Sequence, residues 1–344
     1  MKAWGLYGGK YMRIERREYD LPPPGPNEAL VEVRACGACG TDLNFLRDWD
    51  KGLHEMGHEL SGVVLEAGAC VGNVRPGDRV VVEDLAYCGV CEDCQNGRID
   101  LCRNMLTGGG RPGMASHMLI DARCLVPFDG LSFEAASLVE PLAVGICAAE
   151  AADIPLGGSV AVIGHGPIGL FSARCAMLRG AGTVFVVGTS RDTPLGKKRF
   201  ETAEALGCRT IESRHADAAA EIRKSFPRGV DRVIVTSPPK TAPMAFDMVK
   251  FGGTVELLGI DFSGHNVIDF DVNRVVFNRI DVKGVIAEPA MHFNTSIALL
   301  KSGAVDAGMF LHVCNGVEEF SDALCGVLER TLGANKVCLR VKQG

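Results

Sequence analysis

Four cysteines fall at Cys88, Cys91, Cys94 and Cys102, a C-x2-C-x2-C-x7-C run inside 15 residues. Four thiolates on one short loop satisfy a tetrahedral zinc and leave no open coordination position. Gly89 and Gly97 lie inside the run, where the backbone must turn to bring the sulfurs together. An iron–sulfur centre would want its fourth cysteine closer and followed by proline, whereas Arg103 follows Cys102. A nucleic-acid zinc ribbon would show two separated C-x2-C knuckles. The run predicts a structural zinc.

A second set of donors is spread more widely. Cys39 stands in Cys39-Gly40-Thr41-Asp42 and His58 in Gly57-His58-Glu59. A thiolate and an imidazole suit zinc, but two ligands do not make a site. Glu140, in Val139-Glu140-Pro141-Leu142, is the candidate for the remaining ligand. It is expected just ahead of a helix opened by Pro141, at a domain junction where a cleft forms. Glu59 is either a further ligand or the orienter of its neighbour. Phe45 and Trp49 either line a pocket here or pack against the loop before His58.

The third constellation is Ser159-Val-Ala-Val-Ile-Gly164-His-Gly166-Pro-Ile-Gly169, a strand running into G-x-G-x-x-G. Such a turn lets the backbone approach a pyrophosphate and aims a helix N-terminus at it. Gly164, Gly166, Pro167, Ile168 and Gly169 are therefore candidate cofactor-binding residues. An NAD site expects an acid about 20 residues on, for the ribose hydroxyls. Gly188 stands there, followed by Thr189, Ser190 and Arg191, which could receive a 2′-phosphate and favour NADP. The competing reading leaves Arg191 solvated and gives the ribose to Asp192, with NAD as cofactor.

Two kinds of element must position these groups. The first 130 residues read as β-rich, with strands expected at Ala29–Arg34, Gly62–Glu66 and Arg79–Glu83. After a helix at Leu142–Ala152 the pattern alternates strand and helix, which implies a parallel sheet covered on both faces. Strands are expected at Val160–Ile163, Thr183–Val187, Val233–Thr236 and Thr254–Leu258, and helices at Gly169–Arg179, Lys197–Leu206 and Pro243–Lys250. A helix at Phe293–Lys301 and a strand at Lys336–Val341 close the chain.

Composition narrows the classes. The 344 residues carry 36 Lys+Arg against 42 Asp+Glu, a net charge of −6, with no long basic run for nucleic acid. The most apolar stretch, Ser159–Leu178, is broken by His165 and Arg174, so no membrane span is expected. Met1–Gly5 carries no secretory pattern, so a cytoplasmic protein is expected. Its 14 cysteines then point to metal before disulfides. Cys36, Cys70, Cys124, Cys147, Cys175, Cys208, Cys314, Cys325 and Cys338 are expected to behave as small buried hydrophobes.

Together these residues resemble the zinc-dependent medium-chain dehydrogenase/reductase family. Gly57-His58-Glu59-x2-Gly62-x5-Gly68-x2-Val71 is similar to that family's zinc signature over its whole length. The Cys39 element, the four-cysteine lobe, Glu140-Pro141 and the Gly164–Gly169 turn follow in the family's order. The resemblance implies an α/β protein: a Rossmann doubly wound parallel sheet at 153–287, and a β-rich GroES-like catalytic domain split into 1–152 and 288–344, with its zinc lobe at 84–104.

Glu140-Pro141-Leu142 resembles the sorbitol (polyol) dehydrogenase branch. That implies Cys39, His58 and Glu140 as ligands of a catalytic zinc, Glu59 as a changeable ligand or partner, and Thr41 as the first hydroxyl of a proton relay. Asn44 stands where many relatives continue the relay with histidine, so the proton would leave through ribose hydroxyls, water or Glu140. The implied enzyme holds two zincs per chain and interconverts a secondary alcohol and its ketone with NAD or NADP, as a homodimer or homotetramer. Two other readings keep the fold: a dedicated biosynthetic NADPH-dependent reductase, and a non-catalytic cofactor-binding protein.

Overall fold

Short runs of β-branched residues, buried on both faces, build the centre of the nucleotide-binding half. Strand Ser159–Ile163 is buried at all five positions, and each such valine or isoleucine contributes about 1.5–3 kcal/mol through burial. The computed structural model describes residues 1–107, 109–262, 264–288 and 291–341. The expected domain limits also take in 108, 263, 289–290 and 342–344, outside the described residues. The chain divides into two compact units, Met1–Ala143 with Glu288–Glu329 and Lys336–Gly344, and Val144–Ala287 with Arg330–Asn335.

In the second unit six parallel strands lie in the order Arg209–Glu212, Thr183–Gly188, Ser159–Ile163, Val230–Val235, Val249–Leu257, Asp281–Gly284. The order reverses at Ser159–Ile163, and a crevice opens at the carboxyl end of such a switch point. The glycine-rich turn sits there, leading into helix Pro167–Leu178. Helix Pro194–Ala205 follows the next strand, with Thr193 Oγ1 accepting from the Gly196 N–H at 3.1 Å as its cap.

The first unit is a largely antiparallel sheet around strand Glu28–Gly37. Glu59–Ala67 pairs along one edge. On the other edge His117–Asp121 pairs with its first half and Lys336–Arg340 with its second, Leu339 opposite Cys36. The carboxyl-terminal strand thus returns to complete the amino-terminal sheet.

Several boundaries differ from expectation. Pro141 does not open its helix, which spans Val139–Ala151 and places Glu140 within the first turn. Proline is tolerated there because first-turn N–H groups have no intrahelical acceptor. Asp281–Gly284 is exposed at every position, so no apolar run announced it. Cys70 is exposed and Cys325 half-buried, whereas the other seven scattered cysteines are buried as expected. No helix among the described residues is long and apolar enough to cross a membrane.

Candidate active site

Cys39 caps helix Gly40–Asp48, and His58 directly precedes strand Glu59–Ala67. Asp42 ties the two segments together. Its Oδ2 accepts from the Cys39 N–H at 2.8 Å and its Oδ1 from the Gly57 N–H at 3.0 Å. Gly57 is held at φ +84°, and a Cβ there would lie 2.5 Å from Met114 Cγ. A side chain at 57 would therefore strain and displace the segment that carries His58.

One donor atom each from Cys39, His58 and Glu59 lies within 4.8 Å of the others. Glu140 stands outside that trio, close enough for its charge to act on His58. Glu59 and Lys336 form a buried ion pair: Oε1 accepts from Nζ at 2.5 Å, and Nζ also donates to the Ala38 carbonyl at 3.1 Å. Glu59 Oε2 is buried with no hydrogen-bond partner among the described residues.

The electrostatics call for a cation. Burial opposes protonation of His58, yet the Cys39 thiolate beside it, followed by Glu140 and Asp42, holds its pKa well above the ordinary value. Burial, with Glu59 and Asp84 adding, pushes Glu140 up to about 8 against the pull of His58 and Lys336. Crowded anions and an orphaned carboxylate oxygen fit a divalent metal, and a sulfur–nitrogen–oxygen donor set suits zinc. Thr41 Oγ1 lies 3.7 Å from Cys39 Sγ, while Asn44 Oδ1 accepts from Arg47 at 3.1 Å. Phe45 and Trp49 pack against each other and His54, with ring centroids 4.2–5.7 Å apart.

Three participants escaped sequence reasoning. Asp42 had a legible signal, because an acid three residues after a cap closes a capping box. Asp84 had a fainter one: continuing the register in which Ser61 faces Val81 places it opposite His58. Lys336, 277 residues from Glu59, had none.

The four-cysteine lobe also fits zinc. Its sulfurs lie within 4.8 Å of one another, with Cys88–Cys94 and Cys91–Cys102 at 4.0 Å, where a tetrahedral zinc–thiolate centre needs about 3.8 Å. The N–H groups of Val90 and Cys91 point at Cys88 Sγ and bring its pKa down to about 6. The dinucleotide turn passes its own test. A Cβ on Gly169 would fall 1.9 Å from the Gly164 carbonyl, so helix and strand pack directly. A Cβ on Gly166 would meet nothing within 4 Å, and that open space lets a ligand reach the backbone.

Comparison with known proteins bears on these geometries. Residues 25–130 match the alcohol dehydrogenase GroES-like domain and 167–302 the zinc-binding dehydrogenase domain. The sorbitol dehydrogenase of Bacillus subtilis is 33% identical over 99% of this chain and 96% of its own. The chain belongs to the zinc-dependent medium-chain dehydrogenase family. A 2R,3R-butanediol dehydrogenase from Bacillus subtilis superposes with a TM-score of 0.83 at 25% identity, covering 99% of this chain and all of that one. A zinc-binding dehydrogenase from Sinorhizobium meliloti bound to NADP superposes with a TM-score of 0.84 at 27% identity and the same coverage. The chain is thus a zinc-dependent alcohol dehydrogenase that uses a nicotinamide dinucleotide.

The dehydrogenase treats its ribose-end residues in an unexpected way. An acid at Gly188 is sterically barred, since a Cβ would lie 2.6 Å from His165 Cγ and 2.7 Å from Phe200 Cζ. Arg191 is not a free phosphate ligand. Its guanidinium pairs with Glu204 and Glu212, donates to Thr210 Oγ1 at 3.0 Å and lies 4.5 Å from the centre of the Phe200 ring. Ser190 is buried and Thr189 exposed, and Asp192 pairs with Arg214 at 3.0 Å.

Proposed function

We propose that this dehydrogenase interconverts a secondary alcohol of a polyol, sugar or related hydroxylated molecule and its ketone, with NADP as dinucleotide. The observation that carries the reading is the trio Cys39, His58 and Glu59 within 4.8 Å, with Glu140 beside it. One thiolate and one carboxylate offset a dication and leave a nearly neutral, polar set suited to a hydroxylated substrate. The sorbitol and butanediol relatives support that class.

When bound, zinc supplies a Lewis acid that lowers the pKa of a hydroxyl, and the nicotinamide supplies the hydride acceptor. Cys39 and His58 would hold the metal, with Glu140 or Glu59 as carboxylate ligand. Thr41 takes the substrate proton and passes it outward. Asn44, which does not titrate and is held by Arg47, cannot extend that path. The absence of an acid at Gly188 and the NADP-bound relative support NADP.

The test is initial-rate reduction of NAD and NADP by zinc-replete protein over polyols, sugars, hydroxy-amino acids and simple secondary alcohols. A strong rate with one polyol or sugar class and NADP is expected. Silence across the panel, with both dinucleotides bound, would replace this reading with the dedicated reductase. We further propose a cytoplasmic homodimer joined at sheet edge Asp281–Gly284, whose outer side pairs with no strand among the described residues and which is flanked in sequence by exposed Phe277 and Ile286. Val282→Lys should shift sedimentation from dimer to monomer.

A further inference from the structure

Strand Val249–Leu257 carries an acid that the chemistry above does not use. Glu256 is 1% exposed, and neither carboxylate oxygen has a hydrogen-bond partner among the described residues. Its direct neighbour across the parallel ladder is Lys283 on edge strand Asp281–Gly284. Paired residues of parallel strands point to one face, on strands about 4.8 Å apart, which is within reach of a lysine side chain. Lys283 turns elsewhere: its Nζ donates to the Ala151 carbonyl at 2.9 Å.

Ala151 is the last residue of helix Val139–Ala151. The final carbonyls of a helix have no intrahelical donor, and a cation there also meets the negative end of the helix dipole. Arg232 serves the next two carbonyls, donating to Ala152 at 2.6 Å and to Asp153 at 2.8 Å. The Ala152 N–H donates to the Ala148 carbonyl at 3.1 Å and the Asp153 N–H to that of Glu150 at 3.0 Å. One cation from each of two strands thus holds this helix end. The helix also carries the chain from the first unit into the second, and residues 285–288 carry it back. Cys147 Sγ joins the two segments, donating to the Ile286 carbonyl at 3.8 Å.

Each element packed against Glu256 supplies its own groups. The edge strand gives Lys283, with exposed Asp281 two positions earlier on the same face. Strand Val230–Val235 places Ile234 directly opposite and Arg232 diagonally. The helix gives Cys147, pushed up to about 11 by burial with Glu256 and Glu150, and so a neutral thiol. Burial pushes Glu256 itself up to about 8 against the pull of Lys283. One ammonium therefore has two acceptors. A protonated Glu256 leaves it on the helix-end carbonyl. An ionised, buried carboxylate makes the stronger, charge-assisted bond and draws it across.

We propose that Lys283 is a proton-controlled latch, resting on the Ala151 carbonyl while Glu256 is protonated and moving to the Glu256 carboxylate once it ionises. Arg232 stays on its carbonyls in both states, so ionisation uncaps Ala151 alone and loosens the last turn of the helix. The latch is independent of zinc, dinucleotide and substrate.

Hydrogen exchange with mass spectrometry is followed on the zinc-replete wild type, Glu256→Gln and Lys283→Met at about pH 6.5 and about pH 9.5, either side of the Glu256 titration. Rates are corrected for the intrinsic pH dependence of amide exchange. In the wild type, protection of the Ala152 and Asp153 amides should fall about fivefold at the higher pH, more than that of strand Ser159–Ile163. Glu256→Gln keeps the ammonium on Ala151 and should hold the higher protection at both pH values. Lys283→Met removes the cap and should show the lower protection at both. Wild-type protection that does not change, or that falls equally in strand Ser159–Ile163, would overturn the latch. A wild-type profile in Lys283→Met would do the same. Lys283 is exposed, so its variant decides the matter even if Glu256→Gln fails to fold.

Discussion

Lys336 and Glu59 show how one buried pair can prepare a metal site. The lysine engages one carboxylate oxygen, and the other has no hydrogen-bond partner among the described residues. Lys336→Met would strand a buried carboxylate, and stranding one member of such a pair costs about 3–5 kcal/mol. The expected result is a large drop in the unfolding midpoint, with part of the loss recovered in a Lys336→Met/Glu59→Gln double variant, read by denaturant titration. Cys39→Ala or His58→Ala should abolish turnover while the dinucleotide still binds, because the glycine-rich turn belongs to the other unit. Retained turnover in either variant would remove the trio from the mechanism.

Two acids on neighbouring strands should respond to pH in opposite directions. Asp231 Oδ2 accepts from the Ser159 N–H at 2.8 Å and from its hydroxyl at 2.7 Å, and Lys250 pairs with the other oxygen. Burial raises its pKa, but Lys250 and these hydrogen bonds outweigh it and hold the carboxyl down at about 2. A depressed pKa stabilises above the unfolded value near 4, by about 2 kcal/mol, and that stability is lost as pH falls from about 4 to 2. Glu256 on strand Val249–Leu257 is the reverse case. Burial pushes it up to about 8, and neither carboxylate oxygen has a partner among the described residues. Its protonated form is favoured in the fold, so stability is full below about 4.3 and falls as pH rises, by about 3 kcal/mol at pH 7. Glu256→Gln should raise the urea midpoint at pH 8 and leave it unchanged at pH 4. Asp231→Asn should lower the midpoint at pH 7 and flatten the acid limb.

At the scale of the whole molecule, two zinc sites should answer differently to metal removal. The lobe's four sulfurs are held within one short loop, whereas the catalytic donors are drawn from separate segments. The purified chain should contain two zincs. Cys39→Ala should retain one zinc and most of the thermal stability. Cys102→Ser should retain the catalytic zinc but lower the melting temperature, since three thiolates cannot close the shell. Metal analysis with thermal melts checks both, and a wild type with one zinc would contradict the two-site description.

What the sequence determined by itself was local. The C-x2-C-x2-C-x7-C run and the G-x-G-x-x-G turn are legible because their groups are brought together within one loop, where spacing nearly fixes geometry. The alternating strands and helices after Ser159 were legible for the same reason: burial on both faces writes itself as short apolar runs. Tertiary structure alone decided the rest. Lys336 reaches Glu59 only because the last strand returns to the first sheet. Arg191 reads as a phosphate ligand until Glu204 and Glu212 are seen to neutralise it. A side chain's charge environment depends on neighbours distant in sequence, which residue type and local spacing do not specify.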